Sequence, residues 1–125
     1  MYPELRAIPE YETEDAFFTE SKEQESFFTV SPDSSMTCMF PYYSIEAVTH
    51  VIGKASDLRK KETLSIVLSG QQSVIIQGCQ LCKIRFAIQA RNLRHLRQGY
   101  KKAAEGSDTP FIIASIEVPT LGRNS

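Results

Sequence analysis

The sequence lacks several features by which a class of protein is commonly assigned. It has no run of 18 consecutive apolar residues, so we expect no membrane-spanning helix. It has no charged segment followed by an apolar stretch near its start, so we expect no secretory signal peptide. Its three cysteines are odd in number and have no framework spacing, which is typical of a reducing compartment. Together these absences predict a cytoplasmic protein.

Common catalytic motifs are missing as well. There is no GxGxxG, HExxH or GxSxG motif, and Gly53-Lys54 lacks the upstream glycine of a phosphate-binding loop. The acidic residues concentrate near the N terminus, whereas paired-carboxylate catalysis needs both groups on rigid elements. We therefore expect a non-catalytic protein that binds no cofactor.

The size and composition of the chain suit one globular domain. It has 125 residues, of which 42% are hydrophobic and 23% charged. A domain of this size folds without a metal or a disulfide. We divide the chain into an acidic arm (residues 1–35), a single α+β domain (residues 36–119) and a tail (residues 120–125).

Charge is distributed unevenly along the chain. Residues 1–50 contain 10 acidic and 2 basic side chains, whereas residues 51–125 contain 5 acidic and 12 basic ones. The arm is also rich in aromatic residues, which is unusual for a disordered acidic tail. We predict that its paired phenylalanines anchor it on a basic, partly apolar surface: Phe17, Phe18, Phe27 and Phe28. A poorly ordered terminus is the alternative.

The pattern of apolar residues predicts an α+β fold. Strands are expected at residues 37–43, 64–68, 73–77 and 111–118, with a hairpin loop between the second and the third. The pattern predicts a helix over residues 44–60, with a strand over residues 45–52 as the alternative. It predicts the longest helix of the chain over residues 81–102. The order β-α-β-β-α-β matches a ferredoxin-like sandwich, which we favour. With a strand in place of the first helix, the order is that of a pleckstrin-like antiparallel sheet plus long helix.

The predicted long helix carries a row of basic side chains. Residues 83–102 contain seven basic residues and no acidic one. Four of them follow at helical spacing on the side opposite the apolar face: Arg91, Arg94, Arg97 and Lys101. Because arginine forms paired hydrogen bonds with carboxylate and phosphate groups, we identify these four residues as a candidate site for an anionic partner.

Two cysteines form a CxxC motif, Cys79-Gln80-Leu81-Cys82, and His95 follows at the spacing of a zinc finger. The second histidine of such a finger is missing, so Cys79, Cys82 and His95 are only weak candidates for a metal site, and we predict none. A CxxC at a helix start after a strand also fits a redox site.

These observations favour a protein–protein interaction module in which the acidic arm and the basic helix are contact surfaces, within one chain or between chains. Exchange of the arm between two copies would give a swapped dimer. The alternative is a module that binds anions or nucleic acid through the basic helix. Its RNA-recognition signature is incomplete, because the strand predicted at residues 73–77 has no aromatic residue. A small redox or metal-binding protein built on the CxxC motif is the second alternative.

Overall fold

The computed structural model describes residues 17–53, 61–101, 106 and 109–119. These residues form nine strands and one α-helix, and a 3-10 turn at Tyr42–Ser44 joins the third strand to the fourth. In chain order the elements are β1 (Phe18–Glu20), β2 (Phe27–Asp33), β3 (Met36–Pro41), β4 (Ile45–Ile52), β5 (Glu62–Leu68), β6 (Gln72–Cys79), α1 (Cys82–Gln89), β7 (Leu93–Arg97), β8 (Gly99–Lys101) and β9 (Phe111–Glu117).

The strands belong to two sheets. Sheet 1 has the order β1-β7-β2-β3, and its central pair, β7 and β2, is parallel. Sheet 2 has the order β4-β5-β6-β9-β8, and all its pairs are antiparallel. Chain-adjacent strands joined by short turns account for the β2–β3 and β5–β6 pairs. The parallel pair requires a crossover through sheet 2 and α1, because parallel neighbours cannot be joined by a hairpin.

The inward faces of the two sheets share one hydrophobic core. In β5 the buried positions alternate, so Leu64, Ile66 and Leu68 point into this core while the residues between them are partly exposed. Phe28 and Val30 of β2 face the same core from sheet 1 and are fully buried. Helix α1 adds its own buried side chains to the cluster. The described residues therefore form one packed unit.

The helix predicted over residues 81–102 is wrong in its length, because α1 ends at Gln89. Arg91 adopts a left-handed conformation with φ 58°. Its backbone N–H donates to the carbonyl of Ile88 at 2.9 Å, and the N–H of Asn92 donates to the carbonyl of Ala87 at 3.0 Å. This pair of hydrogen bonds is a Schellman motif, which ends a helix and normally has glycine at the left-handed position.

The apparent helical spacing beyond Arg91 comes from an irregular strand. Leu93 and Leu96 are three residues apart, and both are fully buried in β7. Strand β1 pairs Thr19 with His95 and Glu20 with Leu93, so β7 has one extra residue between the two pairs. Such a β-bulge changes the alternation of the strand and gives two buried leucines a spacing that resembles one helix face.

Both predicted architectures are therefore wrong. The ferredoxin-like order is wrong because residues 45–52 form β4 rather than a helix. The alternative prediction of a strand over residues 45–52 is confirmed. The pleckstrin-like order fails because α1 has only eight residues and because two mostly separate sheets are present. The other four predicted strands are confirmed as β3, β5, β6 and β9, with ends that differ by at most two residues.

Part of the predicted arm contributes to this fold. Strands β1 and β2 lie within residues 17–35 and are, respectively, an edge and an inner strand of sheet 1. Residues 1–16 and the predicted tail lie outside the described residues. In the part of the chain that the structure describes, no helix combines the length and apolarity needed to cross a membrane.

Candidate interaction surface

The outer face of sheet 1, on the side away from the core, carries exposed apolar side chains. Backbone register aligns Thr19, His95, Thr29 and Met39 in one row across the four strands. Met39 is 64% exposed, and Phe27 on the neighbouring strand is 46% exposed. Large apolar side chains that share one exposed face are typical of binding surfaces. We call this side of sheet 1 the outer face.

A groove of about 420 Å³ opens on the outer face. It is lined by residues of the β1–β2 loop and of three strands: Gln24, Glu25, Ser26, Phe27, Thr29, Met39 and Arg94. The groove thus combines two apolar side chains, one guanidinium, one carboxylate and small polar groups. This combination suits an extended segment of polypeptide better than a compact charged ligand, because most of the lining is neutral.

The four basic residues that were predicted on one helix face lie on different elements. Arg91 follows α1, and its guanidinium lies over the ring of Tyr42, 5.5 Å from the ring centre. Arg94 and Arg97 belong to β7 in sheet 1, whereas Lys101 belongs to β8 in sheet 2. The four side chains therefore do not form one helix face, and a smaller basic region around β7 contains Arg94 and Arg97.

The arginines of this region lack carboxylate partners among the described residues. Within residues 17–53, 61–101, 106 and 109–119, the contact shorter than 4.0 Å between a basic side chain and a carboxylate joins His50 to Glu62 and involves no arginine. Arg97 contacts the backbone carbonyl of Gln98 at 3.4 Å, and Arg94 borders the open groove. An exposed guanidinium group such as that of Arg94 can form paired hydrogen bonds with a carboxylate.

His95 contributes polarity rather than charge to the outer face. Its Nε2 atom lies 2.9 Å from the hydroxyl oxygen of Ser31 on the neighbouring strand. Burial and, secondarily, the nearby charge of Arg97 lower the pKa of His95 below its ordinary value. Because a lowered pKa keeps the ring neutral at pH 7, the arginines supply the positive charge of this region.

The four predicted anchor phenylalanines occupy three different environments. Phe17 and Phe28 are 1% and 0% exposed and belong to the core. The ring of Phe18 packs edge-on against Phe111, with centroids 5.3 Å apart. Phe27 alone of the four lines the groove. Three of the anchors thus hold β1 and β2 to the fold, and one faces outward.

A buried polar network lies at the start of α1. Glu62 is 7% exposed, and its Oε1 atom lies 2.7 Å from His50 Nε2. The backbone N–H groups of Gln80 and Leu81 donate to its two carboxylate oxygens at 2.9 Å. Arg85 Nε donates to His50 Nδ1 at 3.2 Å, so the His50 proton resides on Nε2 and is donated to Glu62.

This network ties α1 to sheet 2. Burial raises the pKa of Glu62, but the hydrogen bonds from His50, Gln80 and Leu81 outweigh it, so the pKa lies below the ordinary value of 4.5. The carboxylate therefore stays ionised and satisfies the free backbone N–H groups at the start of the helix, as an N-terminal capping residue does. Both carboxylate oxygens of Glu62 accept hydrogen bonds from the protein itself, which is consistent with a structural role.

The two cysteines of the CxxC motif flank the junction between β6 and α1. Cys79 ends β6 and is 0% exposed, and Cys82 begins α1. Burial, with a smaller contribution from the charge of Glu62, raises the pKa of the Cys79 thiol to about 11. A thiol with such a pKa is protonated at neutral pH and is a poor nucleophile and metal ligand. Groups of three or more metal-ligating side chains are absent from the described ranges.

The sequence did contain a signal for the groove residue that was missed, Met39. In the predicted strand, Phe40 and Met39 are adjacent, so one of them must face away from the core. A strand that is apolar on both sides indicates a second apolar surface. The burial of Glu62 also had a signal in the sequence, because Glu62 precedes Leu64 and Ile66 at the two-residue spacing of a buried strand face.

Comparisons with known proteins give no further guide to this surface. The chain matches no protein-family model, no curated protein and no solved structure.

Proposed function

We propose that this chain is a non-catalytic protein-interaction module whose outer face binds an extended polypeptide segment with both carboxylate and apolar side chains. The observation that carries the proposal is the groove in which exposed Phe27 and Met39 stand beside Arg94. Because three free cysteines favour a reducing compartment, we further propose that the module acts in the cytosol.

The chemistry of the groove defines the partner. Met is flexible and polarisable, so Met39 can adapt to different apolar side chains. Phe27 offers a flat aromatic surface, and Arg94 offers a fork of donors that matches a carboxylate. A short segment that alternates apolar and acidic residues satisfies both requirements, because the side chains of an extended strand alternate between two sides.

The test is a fluorescence-anisotropy titration of the full chain with a labelled peptide in which Glu alternates with Tyr or Leu. A matched peptide with Lys in place of each Glu is the control. We expect the acidic peptide to bind more tightly, and Arg94→Glu to weaken its binding about tenfold, which corresponds to about 1.4 kcal/mol. The same charge reversal at Lys101, on sheet 2, should leave the affinity unchanged.

The apolar half of the site is tested separately. Met39→Ser should weaken binding of the acidic peptide, whereas Val51→Ser, at an exposed apolar position on β4, should not. Equal affinity of the two peptides, or equal effects of the groove variants and their controls, would contradict the proposal. If a single-stranded oligonucleotide bound more tightly than the acidic peptide, with a steep salt dependence, the nucleic-acid alternative would replace it.

A further inference from the structure

The first 16 residues have the chemistry that the groove requires. They contain five acidic side chains against one basic one, with the acids concentrated at Glu10, Glu12, Glu14 and Asp15. Apolar residues accompany them, among them Leu5, Ile8 and Tyr11. The alternation of Glu10, Tyr11 and Glu12 places acidic and aromatic groups next to each other along the chain.

The residue at which this segment joins the described fold, Phe17, lies close to the basic region. Phe17 immediately precedes β1, and its carbonyl oxygen accepts a hydrogen bond from the backbone N–H of Arg97 at 2.9 Å. Phe17, the residue that follows the segment, therefore lies beside β7, the strand that carries both Arg94 and Arg97. The point of attachment is thus on the sheet that bears the groove, next to arginines without a carboxylate partner among the described residues.

The segment is long enough to reach the groove. Arg94 lies three residues along β7 from Arg97, and Met39 lies two strands away from β7. With about 3.3 Å per residue and about 4.8 Å per strand, each displacement is roughly 10 Å. An extended segment of 16 residues spans at most about 50 Å, which leaves length for the chain to turn back across the sheet.

From this complementarity we infer that residues 1–16 bind in cis to the outer face of the same chain, as a tethered ligand that an external partner must displace. The inference rests on the proposed function of the groove. The carboxylates of residues 10–15 pair with Arg94 and Arg97, and the apolar residues cover Phe27 and Met39. A short tether gives a local concentration on the order of mM, so binding within one chain outcompetes binding between copies at ordinary protein concentrations.

A single tryptophan reports on this docking. The natural sequence has none, so Tyr11→Trp introduces a unique fluorophore into the full chain. We expect its emission to be blue-shifted, and its quenching by acrylamide at least halved, relative to a free peptide of residues 1–16 with the same tryptophan. Neither property should depend on protein concentration. Quenching equal to that of the free peptide, or protection that grows with protein concentration, would overturn docking in cis.

Two sets of variants identify the contact. Arg94→Glu should raise quenching to the level of the free peptide, whereas Lys101→Glu should not. Because Arg94 lies in a strand, its replacement can also disturb the fold. The segment side of the contact is therefore tested separately with Glu10→Gln/Glu12→Gln/Glu14→Gln. This variant leaves every described residue intact and should release the tryptophan equally. Unchanged protection in both groove-side and segment-side variants would overturn the inference.

The external acidic peptide separates this inference from the proposed function. If residues 1–16 occupy the groove, the triple Gln variant should bind the external peptide about tenfold more tightly than the unmodified chain does, a gain within the range expected of tethered ligands. Equal affinity of the two chains would overturn only the tethered ligand. Absence of binding by both chains would overturn the function of the groove itself.

Discussion

Replacement of Glu62 by glutamine tests how the start of α1 is held. The carboxylate accepts three hydrogen bonds, from His50 and from the backbone of Gln80 and Leu81, and it is 7% exposed. Glutamine keeps one acceptor oxygen but places an NH₂ group against one of these donors. The loss of one charge-assisted hydrogen bond and the burial of one unsatisfied N–H cost about 3 kcal/mol together.

The assay is urea unfolding followed by far-ultraviolet circular dichroism at several pH values. The folded pKa of Glu62 is lowered, so its stabilising contribution is complete above the ordinary pKa of 4.5 and is lost as pH falls through the folded pKa. The difference in unfolding free energy between the unmodified chain and Glu62→Gln should therefore be full at neutral pH and shrink in acid. Glu46→Gln, at an exposed position of β4, is the matched control and should change stability by less than about 0.5 kcal/mol. A Glu62→Gln effect as small as that of the control, or one that persists unchanged in acid, would refute the reasoning.

Three further predictions concern single side chains. Arg91→Gly and Arg91→Ala both lose the contact with Tyr42, but only glycine also removes the left-handed strain. In urea unfolding, Arg91→Gly should therefore be neutral or stabilising by up to about 1 kcal/mol, whereas Arg91→Ala should be destabilising; the reverse order would be inconsistent with the Schellman motif. Tyr42→Phe should lower the unfolding free energy by about 1–2 kcal/mol, because the Tyr42 hydroxyl donates to the buried carbonyl of Leu93 at 2.9 Å, and an unchanged value would argue against that bond. Iodoacetamide at pH 8 should modify Cys79 at least about 100-fold more slowly than Cys82, as read by mass spectrometry, because its pKa is raised to about 11 and its thiol is buried; comparable rates would contradict both features.

The strands of sheet 2 could be predicted because their sequences follow simple rules. Buried apolar residues alternate along residues 62–68, and β-branched residues concentrate within residues 72–79. The turn between the two segments is at Gly70 and Gln71, whose φ angles are 80° and 62°. Local propensity and tertiary structure agree there, so the hairpin is visible without any knowledge of its neighbours.

Sheet 1 could not be predicted in the same way, because its pairs join distant parts of the chain. Strand β7 lies between β1 and β2 in the sheet, and its residues pair with residues more than 60 positions earlier in the sequence. No local pattern specifies that pairing. The high acidic content of residues 10–25 also obscured β1, which lies within this stretch, and β2, which follows it. Phe17 packs against Gly99, where a Cβ atom would lie 2.3 Å from the Phe17 ring, and such a contact is invisible in the sequence.

The candidate site was predicted in part by charge and missed in its geometry. The sequence indicated Arg94 and Arg97 as partner-binding residues; both lie in β7, and Arg94 lines the groove. The helical spacing that grouped them with Lys101 has no counterpart in the structure, because the chain reverses into two different sheets after Arg91. The alternation along β3 indicates that Met39 faces outward, but its position opposite Thr29 depends on the register between β2 and β3.

The central claim, that the groove on the outer face is a polypeptide-binding site, is tested most directly by NMR of the full chain with ¹³C-labelled methionine methyl groups. The chain has three methionines, and of the two in β3, Met39 lines the groove whereas Met36 does not. Addition of the acidic, apolar peptide should shift the Met39 methyl resonance saturably and leave that of Met36 in place, and Arg94→Glu should abolish the shift. An unmoved Met39 resonance at saturating peptide, or equal shifts of both methyl groups, would contradict the account.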